Sequence, residues 1–470
     1  MYAGRGGRGG RAGRSAGRSA GRVGASNSST PGLRCVSWNL LGDTNLQANP
    51  ELYEKCHPKA LPWSHRLPPI LETIRRLDSD VVALQEVEYF DRDLAEPLKR
   101  DCGLDGVYKQ RTGGQEDGVA LLWRTTRLSL LHVEPLEYAN ALTEGVTDPT
   151  QDALLRKHNV GLVGVFLDLI AQREVVVATT HLLFNPKRGI VKMRQLQHLL
   201  QRVDAARMAT FDSAAAPTQP ASAPADGAHA SAAAALFSPT PTPAASGTPG
   251  SRRACIILGD FNMTPSSLLH AFVRGVRLVA ANHTEGDWDG HEAERRARGR
   301  YHPPPWQQEC YHHATDGSRA MVMHEGHALP APSGHALPPA PSWHVPQVDA
   351  THPLAGELLS AYGHSRGEPE ATTFHKRFMG TVDFIWYTAQ HLAVRTVLPT
   401  PSRRELAARH SLPDRTMPSD HVPIACDLAW RTGASGPPGV VPPPQQQPQH
   451  QVQDAASMPP VAVVPVVDVQ

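Results

Sequence analysis

The chain is short of the features that usually assign a class at sight. Six cysteines (Cys35, Cys56, Cys102, Cys255, Cys310 and Cys426) are scattered over 470 residues without a Cys-x-x-Cys pair. That excludes a thiolate zinc site and the disulfide framework of a small secreted domain, and it suits a reducing compartment. No apolar run approaches the roughly 20 residues that a membrane span needs, so a soluble chain with no membrane partner is expected. Charge of one sign is missing too: 46 Lys and Arg face 45 Asp and Glu, a net of +1. No global field then draws the molecule to nucleic acid, and any basic patch must be local.

Length admits two or three domains, but much of the chain lacks the apolar residues to fold. Residues 1–32 contain no acid and set Arg5, Arg8, Arg11, Arg14, Arg18 and Arg22 among Gly, Ala and Ser. Such a tail is expected to be disordered. It suits weak RNA binding through phosphate attraction and guanidinium stacking, or organelle targeting. The expected location is accordingly cytoplasmic or nuclear, or an organelle if the tail is a transit peptide. Residues 213–251 are Ala, Pro, Ser and Thr with little else, and 283–350 are rich in His and Pro. The second stretch repeats itself, Gly326-His327-Ala-Leu-Pro-Ala-Pro-Ser being followed by Gly334-His335-Ala-Leu-Pro-Pro-Ala-Pro-Ser. Its histidines lack i, i+4 spacing, so slippage in a disordered loop explains them better than metal binding. Both stretches read as disordered insertions, and 431–470 as a Pro/Gln-rich tail.

Between these stretches, apolar runs repeatedly end in a polar group. Ile256-Ile257-Leu258 runs into Gly259-Asp260-Phe261-Asn262 and reads as a strand buried on both faces. Functional groups are best held where a rigid strand meets a loop, although Asp and Asn are also ordinary turn residues. Cys35–Leu41 is a strand delivering Asn39, and 65–77 is a helix with its prolines in the first turn. Val81–Val87 carries Glu86 near its end, which is costly unless paired or metal-bound, unless alternation faces it outward. Asp117 opens another strand. Strands 160–170 and 175–179 follow, the second ending at Thr180-His181. The loop Leu183-Phe184-Asn185-Pro186-Lys187-Arg188-Gly189 leads into a helix over 190–207. Thr381–Tyr387 is a strand containing Asp383, and Pro418-Ser419-Asp420-His421 precedes a final strand over 424–428. A His paired with a buried Asp has a fixed tautomer and a favoured cation, so contact between Asp383 and His421 is expected.

Trp38-Asn39, Leu84-Gln85-Glu86-Val87, His181, Gly259-Asp260-Phe261-Asn262, Val382-Asp383-Phe384 and Ser419-Asp420-His421 occur in the order seen in the endonuclease/exonuclease/phosphatase superfamily, which the chain resembles. His181–Gly189, Glu370-Ala371-Thr372-Thr373-Phe374-His375 and Leu412-Pro413 are similar to the Angel branch of its deadenylase–nocturnin family. The resemblance covers about 33–212, 252–282 and 352–430, within a catalytic domain of 33–430. It implies an α/β four-layer sandwich: two packed mixed sheets flanked by helices, with the site where strand ends meet. Six separated segments converge only if the sheets pack together.

The resemblance also implies a chemistry. Asn39, Glu86 and Asp420 would ligate Mg²⁺, with Mn²⁺ as a substitute. Asp260 would orient or deprotonate water, Asn262 would hold the water or the phosphate, and His181 and His421, the latter oriented by Asp383, would stabilise the phosphorane. Asp117 reads as a supporting residue. Asn185 offers an amide to a base edge, and Lys187, Arg188 and Lys192 offer charge to further phosphates. The expected function is a Mg²⁺-dependent 3′-to-5′ exoribonuclease on single-stranded RNA, with poly(A) preferred. The alternatives are an RNA 2′,3′-cyclic phosphatase and an inactive RNA-binding scaffold of a deadenylase or RNA-processing complex. No leucine-rich repeat precedes the domain, so docking like that of the larger deadenylases is not expected.

Overall fold

The apolar runs become the inner strands of two six-stranded sheets in the computed structural model, which describes residues 32–209, 252–279, 288–291 and 349–432. The tails, and most of both expected insertions, lie outside the described residues. In spatial order the first sheet is β15 (Leu392–Val397), β16 (Ile424–Trp430), β1 (Gly32–Asn39), β2 (Val81–Val87), β4 (Gly118–Arg124) and β3 (Leu104–Gln110). The second is β11 (Leu358–Ser360), β14 (Asp383–Thr388), β8 (Ala254–Asp260), β7 (Arg173–His181), β6 (Val160–Asp168) and β5 (Leu128–Glu137). Both sheets are mixed, with β1–β2 and β7–β8 parallel and the other pairs antiparallel. Two short ribbons complete the strands, β9 (Leu278–Val279) with β10 (Asp349–Ala350) and β12 (Thr373–His375) with β13 (Phe378–Gly380).

Strands buried on both faces follow from the layering. Val175, Val177, Ile256 and Leu258 point into the space between the sheets, where they meet Val81, Ala83 and Leu121. The alternate residues Val176, Ala178, Cys255 and Ile257 pack outward on the helices Gly189–Met208 and Leu268–Val273. On the other sheet, Val36, Trp38, Val82 and Leu84 pack on Trp63–Leu77 and Ala95–Cys102. The result is the expected four-layer α/β sandwich. A one-residue slip of any inner strand would exchange its two faces, so the register is strongly specified.

Two details differ from the sequence expectation. The helix begins at Trp63, which places Pro68 and Pro69 in its second turn. The missing N–H groups leave the carbonyls of Ser64 and His65 without intrahelical donors, and both residues are exposed to water. Residues 288–291, which fall inside the expected second insertion, are buried against the core: Trp288 is 2% exposed and Asp289 fully buried. They pack where the helix Gly189–Met208 meets the turn after β8.

Candidate active site

Sheet register assembles the site. Asp260 closes β8, and both neighbouring strands present a functional residue at its level: His181 pairs with it across β7–β8 and Asp383 across β8–β14. Residues at one level of adjacent strands lie within reach of each other. Gly259 lets the strands close in there, since a Cβ on it would fall 2.2 Å from the Thr180 carbonyl oxygen.

From the other sheet come Asn39, at the end of β1, and Glu86. Simple alternation would turn Glu86 outward beside Leu84. A bulge between Gln85 and Val87 prevents this, with Glu86 at φ 51°. A non-glycine residue there is strained, and such strain gathers at functional sites. The re-aimed carboxylate accepts from Asn39 Nδ2 and from the Gly42 N–H, each at 3.0 Å.

Asn39 Nδ2 also donates to Asp260 Oδ2 at 3.0 Å, so one amide ties together carboxylates from the two sheets. Its Oδ1 accepts the Leu41 N–H at 3.0 Å, so that oxygen is already engaged in the turn. Asn39 thus bridges two carboxylates through its Nδ2, while the oxygen that the sequence reading expects at a metal faces the Leu41 N–H. His421 Nδ1 lies 2.8 Å from Asp383 Oδ2, the expected contact, and its Nε2 is 3.8 Å from Asp260 Oδ2. His181 Nε2 is 3.6 Å from the same oxygen and 3.9 Å from Glu86 Oε1. The loop before β16 is pinned to β1, with Ser419 Oγ donating to the Asn39 carbonyl and Trp38 Nε1 to that of His421. Asp420 points into the same region and accepts from the Tyr53 hydroxyl at 3.0 Å.

Burial divides the protonation states. It lowers the His181 pKa to about 4, so this imidazole is neutral at pH 7. Burial works against charge on His421 as well, but the Asp383 carboxylate and its hydrogen bond raise that pKa well above the usual value. Burial and then repulsion from Asp383 push Asp260 up to about 7, and burial pushes Asp420 to about 6. Glu86 stays low: burial opposes its charge, but the His181 ring and the hydrogen bonds it accepts outweigh that. Four carboxyl groups thus face one imidazolium, and a divalent cation among them would keep Asp260 and Asp420 ionised. That negative excess is the donor chemistry of a hard divalent cation, and the residues fit one. Asp260, Asp383 and His421 also offer ligand atoms within 4.8 Å of one another, with the Nδ1 of His421 already bonded to Asp383.

The other expected residues divide. Asn262, at φ 48°, donates its Nδ2 to the Leu182 carbonyl at 2.9 Å and its N–H to Asp260 Oδ1, which holds the turn. Asn185 is exposed, and its Oδ1 accepts the Lys187 N–H at 2.9 Å. Lys187 is exposed and Arg188 half-buried beside it. Lys192, expected at a phosphate, is fully buried and bonded within the protein. Asp117 is buried, 3.2 Å from Arg111 Nη1. Sequence reasoning missed Tyr53, Arg111 and Asn159, whose Nδ2 holds the His181 carbonyl at 3.1 Å. It also missed Thr372, whose hydroxyl accepts the Val382 and Asp383 N–H groups. Tyr53, Arg111 and Asn159 belong to no motif, and Thr372 stands in the Angel-like stretch 370–375 with nothing there to announce its hydrogen bonds.

The model of the endonuclease/exonuclease/phosphatase family matches residues 36–421. The chain belongs to that family. Within it, protein angel homolog 2 of Mus musculus is 27% identical over 427 residues, covering 83% of this chain and 68% of that protein. Carbon catabolite repressor protein 4 homolog 5 of Arabidopsis thaliana is 28% identical over 428 residues, covering 85% and 77%. A crystal structure of ANGEL2, described as a 2′,3′-cyclic phosphatase in complex with adenosine-2′,3′-vanadate, matches with a TM-score of 0.60 at 27% identity, over 85% of this chain and 96% of that one. The resemblance to Angel proteins read from the motifs is borne out. The family members are phosphatases and nucleases, so a hydrolase of phosphoesters is the activity class. Among the described residues, no helix is long and apolar enough to cross a membrane.

Proposed function

We propose that the chain hydrolyses a phosphodiester at the 3′ end of single-stranded RNA, opening a terminal 2′,3′-cyclic phosphate with the help of Mg²⁺. The observation that carries this is the likeness to ANGEL2 over nearly the whole of that structure, joined to a site whose protonation states suit the chemistry. Water attacks phosphorus in line with the leaving ribose oxygen, the P–O bond breaks, and the oxygen takes up a proton. Asp260, with a pKa of about 7, is poised to accept the proton of the attacking water. His421, cationic against Asp383, faces the developing charge and has a proton to give the leaving oxygen. His181, neutral, donates from Nε2 to a phosphoryl oxygen. Glu86 and Asp420 would hold the cation, and Asn39 keeps Glu86 and Asp260 in register across the two sheets. The cation would supply Lewis-acid stabilisation of the phosphoryl oxygens. An all-oxygen carboxylate set favours Mg²⁺, and Mn²⁺ would substitute.

Exonucleolytic 3′-to-5′ shortening, poly(A) included, is the second reading, and it would serve a deadenylase or RNA-processing complex. Lys187 and Arg188 on the loop after His181 favour it, because they would meet phosphates beyond the terminal one. The inactive scaffold has no observation in its favour. Purified protein incubated with oligo(A) ending in a 2′,3′-cyclic phosphate, beside oligo(A) ending in 3′-OH, separates the two. The expected result is EDTA-sensitive loss of the cyclic phosphate with the chain length kept. Shortening of the 3′-OH oligomer with the cyclic end untouched would replace the first reading by the second.

A further inference from the structure

We infer that Lys192 and Asp289 form a positioning clamp on the Asp260–Asn262 turn, so that residues 288–291 are a working part of the site. The inference rests on hydrolysis at Asp260 but not on the identity of the substrate. Lys192 Nζ, fully buried, donates to the Asn262 carbonyl at 2.8 Å and to Asp289 Oδ2 at 2.5 Å. Asn262 is the left-handed residue whose N–H holds Asp260 Oδ1 and whose amide holds the strand end carrying His181. Its carbonyl direction is therefore coupled to both functional groups, and Lys192 is the donor that fixes it.

Asp289 is itself held in place. Its carbonyl accepts the Thr264 N–H at 2.8 Å, and its Oδ1 accepts the His291 N–H at 3.0 Å and lies 3.2 Å from His291 Nδ1. Trp288 accepts the Leu269 N–H through its carbonyl at 3.1 Å and lies on Gly189, where an added Cβ would fall 2.2 Å from the Trp288 Cβ. A pair that served only to balance charge would need neither the bond to Asn262 nor this packing. Buried pairs of that kind are replaceable by apolar residues of similar volume. The clamp is not, because an apolar side chain cannot donate to the Asn262 carbonyl.

The test compares Asp289→Asn with the double variant Lys192→Met/Asp289→Leu. The first leaves Lys192 Nζ in place to donate to the Asn262 carbonyl. The second removes both charges and keeps the volume. Stability and turnover should separate: the double variant melts close to the wild type but loses about 100-fold in kcat, the size of a displacement near 1 Å, with KM little changed. Asp289→Asn melts lower and loses less than tenfold. Turnover is followed on the RNA oligomer and on bis(p-nitrophenyl) phosphate, so a wrong substrate is distinguished from a wrong clamp. Amide exchange over 260–264, which needs no substrate, should rise in the double variant and not in Asp289→Asn. A folded double variant with wild-type kcat or exchange overturns the clamp. If that variant does not fold, an Asp289→Asn protein with the melting temperature and kcat of the wild type overturns it.

Discussion

Glu86 and His421 are each defined by a neighbour that the sequence separates widely. Glu86 is the least buried of the four site carboxylates at 14% side-chain exposure, and it is fixed by hydrogen bonds to Asn39 and Gly42. Replacing it with Gln keeps the shape and removes the charge, and a neutral amide is a poor ligand for Mg²⁺. Glu86→Gln should fold normally and lose roughly 10²–10³ in kcat; wild-type turnover of the folded protein removes Glu86 from the site. Asp383 raises the His421 pKa well above the ordinary imidazole value of about 6.5. The cation is thus stabilised when folded, and its contribution is lost as pH rises through that raised pKa. Asp383→Asn removes the anion and lowers the pKa, so the alkaline limb of kcat should move to lower pH. A pH–rate profile with an unmoved limb would show that another group sets it.

At the scale of elements, the β7–β8 ladder and the segment 288–291 carry the predictions. Gly259→Ala would drive a methyl into the Thr180 carbonyl, which is backbone and cannot rotate away. Denaturant unfolding should report a loss of about 1–3 kcal/mol, with kcat falling because His181 and Asp260 are forced apart. Equal stability would mean that the ladder relaxes there without cost. Replacing 293–347 with a short Gly/Ser linker should leave kcat nearly unchanged, since closure entropy depends only weakly on loop length. Extending the replacement back to 287 removes Trp288 and Asp289 and should lower it. Similar rates from the two proteins would return 288–291 to the status of a spare loop.

For the whole molecule, the negative excess between the sheets is the controlling quantity. A cation bound only by the folded state raises stability by about 2.7 kcal/mol at a hundredfold excess over its Kd. Mg²⁺ should therefore raise the thermal midpoint by several degrees in the wild type and much less in Glu86→Gln. No shift with Mg²⁺ or Mn²⁺, together with turnover insensitive to EDTA, would remove the cation from the mechanism.

The sequence by itself determined the inner strands, their order and the groups at their ends, because a strand buried on both faces must be continuously apolar until its last residue. Ile256–Leu258 before Asp260 and Val81–Leu84 before Glu86 are legible for that reason, and the Asp383–His421 pair follows from motif order. Only the tertiary structure decided which way those ends point. The bulge that turns Glu86 inward is a backbone event with no residue type to announce it. Asn39 bridges two carboxylates only because the two sheets meet there, and Lys192 leaves the phosphate face because its helix turns it toward Asp289, 97 residues away. Periodicity reports what a chain buries. Who meets whom across a core depends on packing, which no local pattern contains.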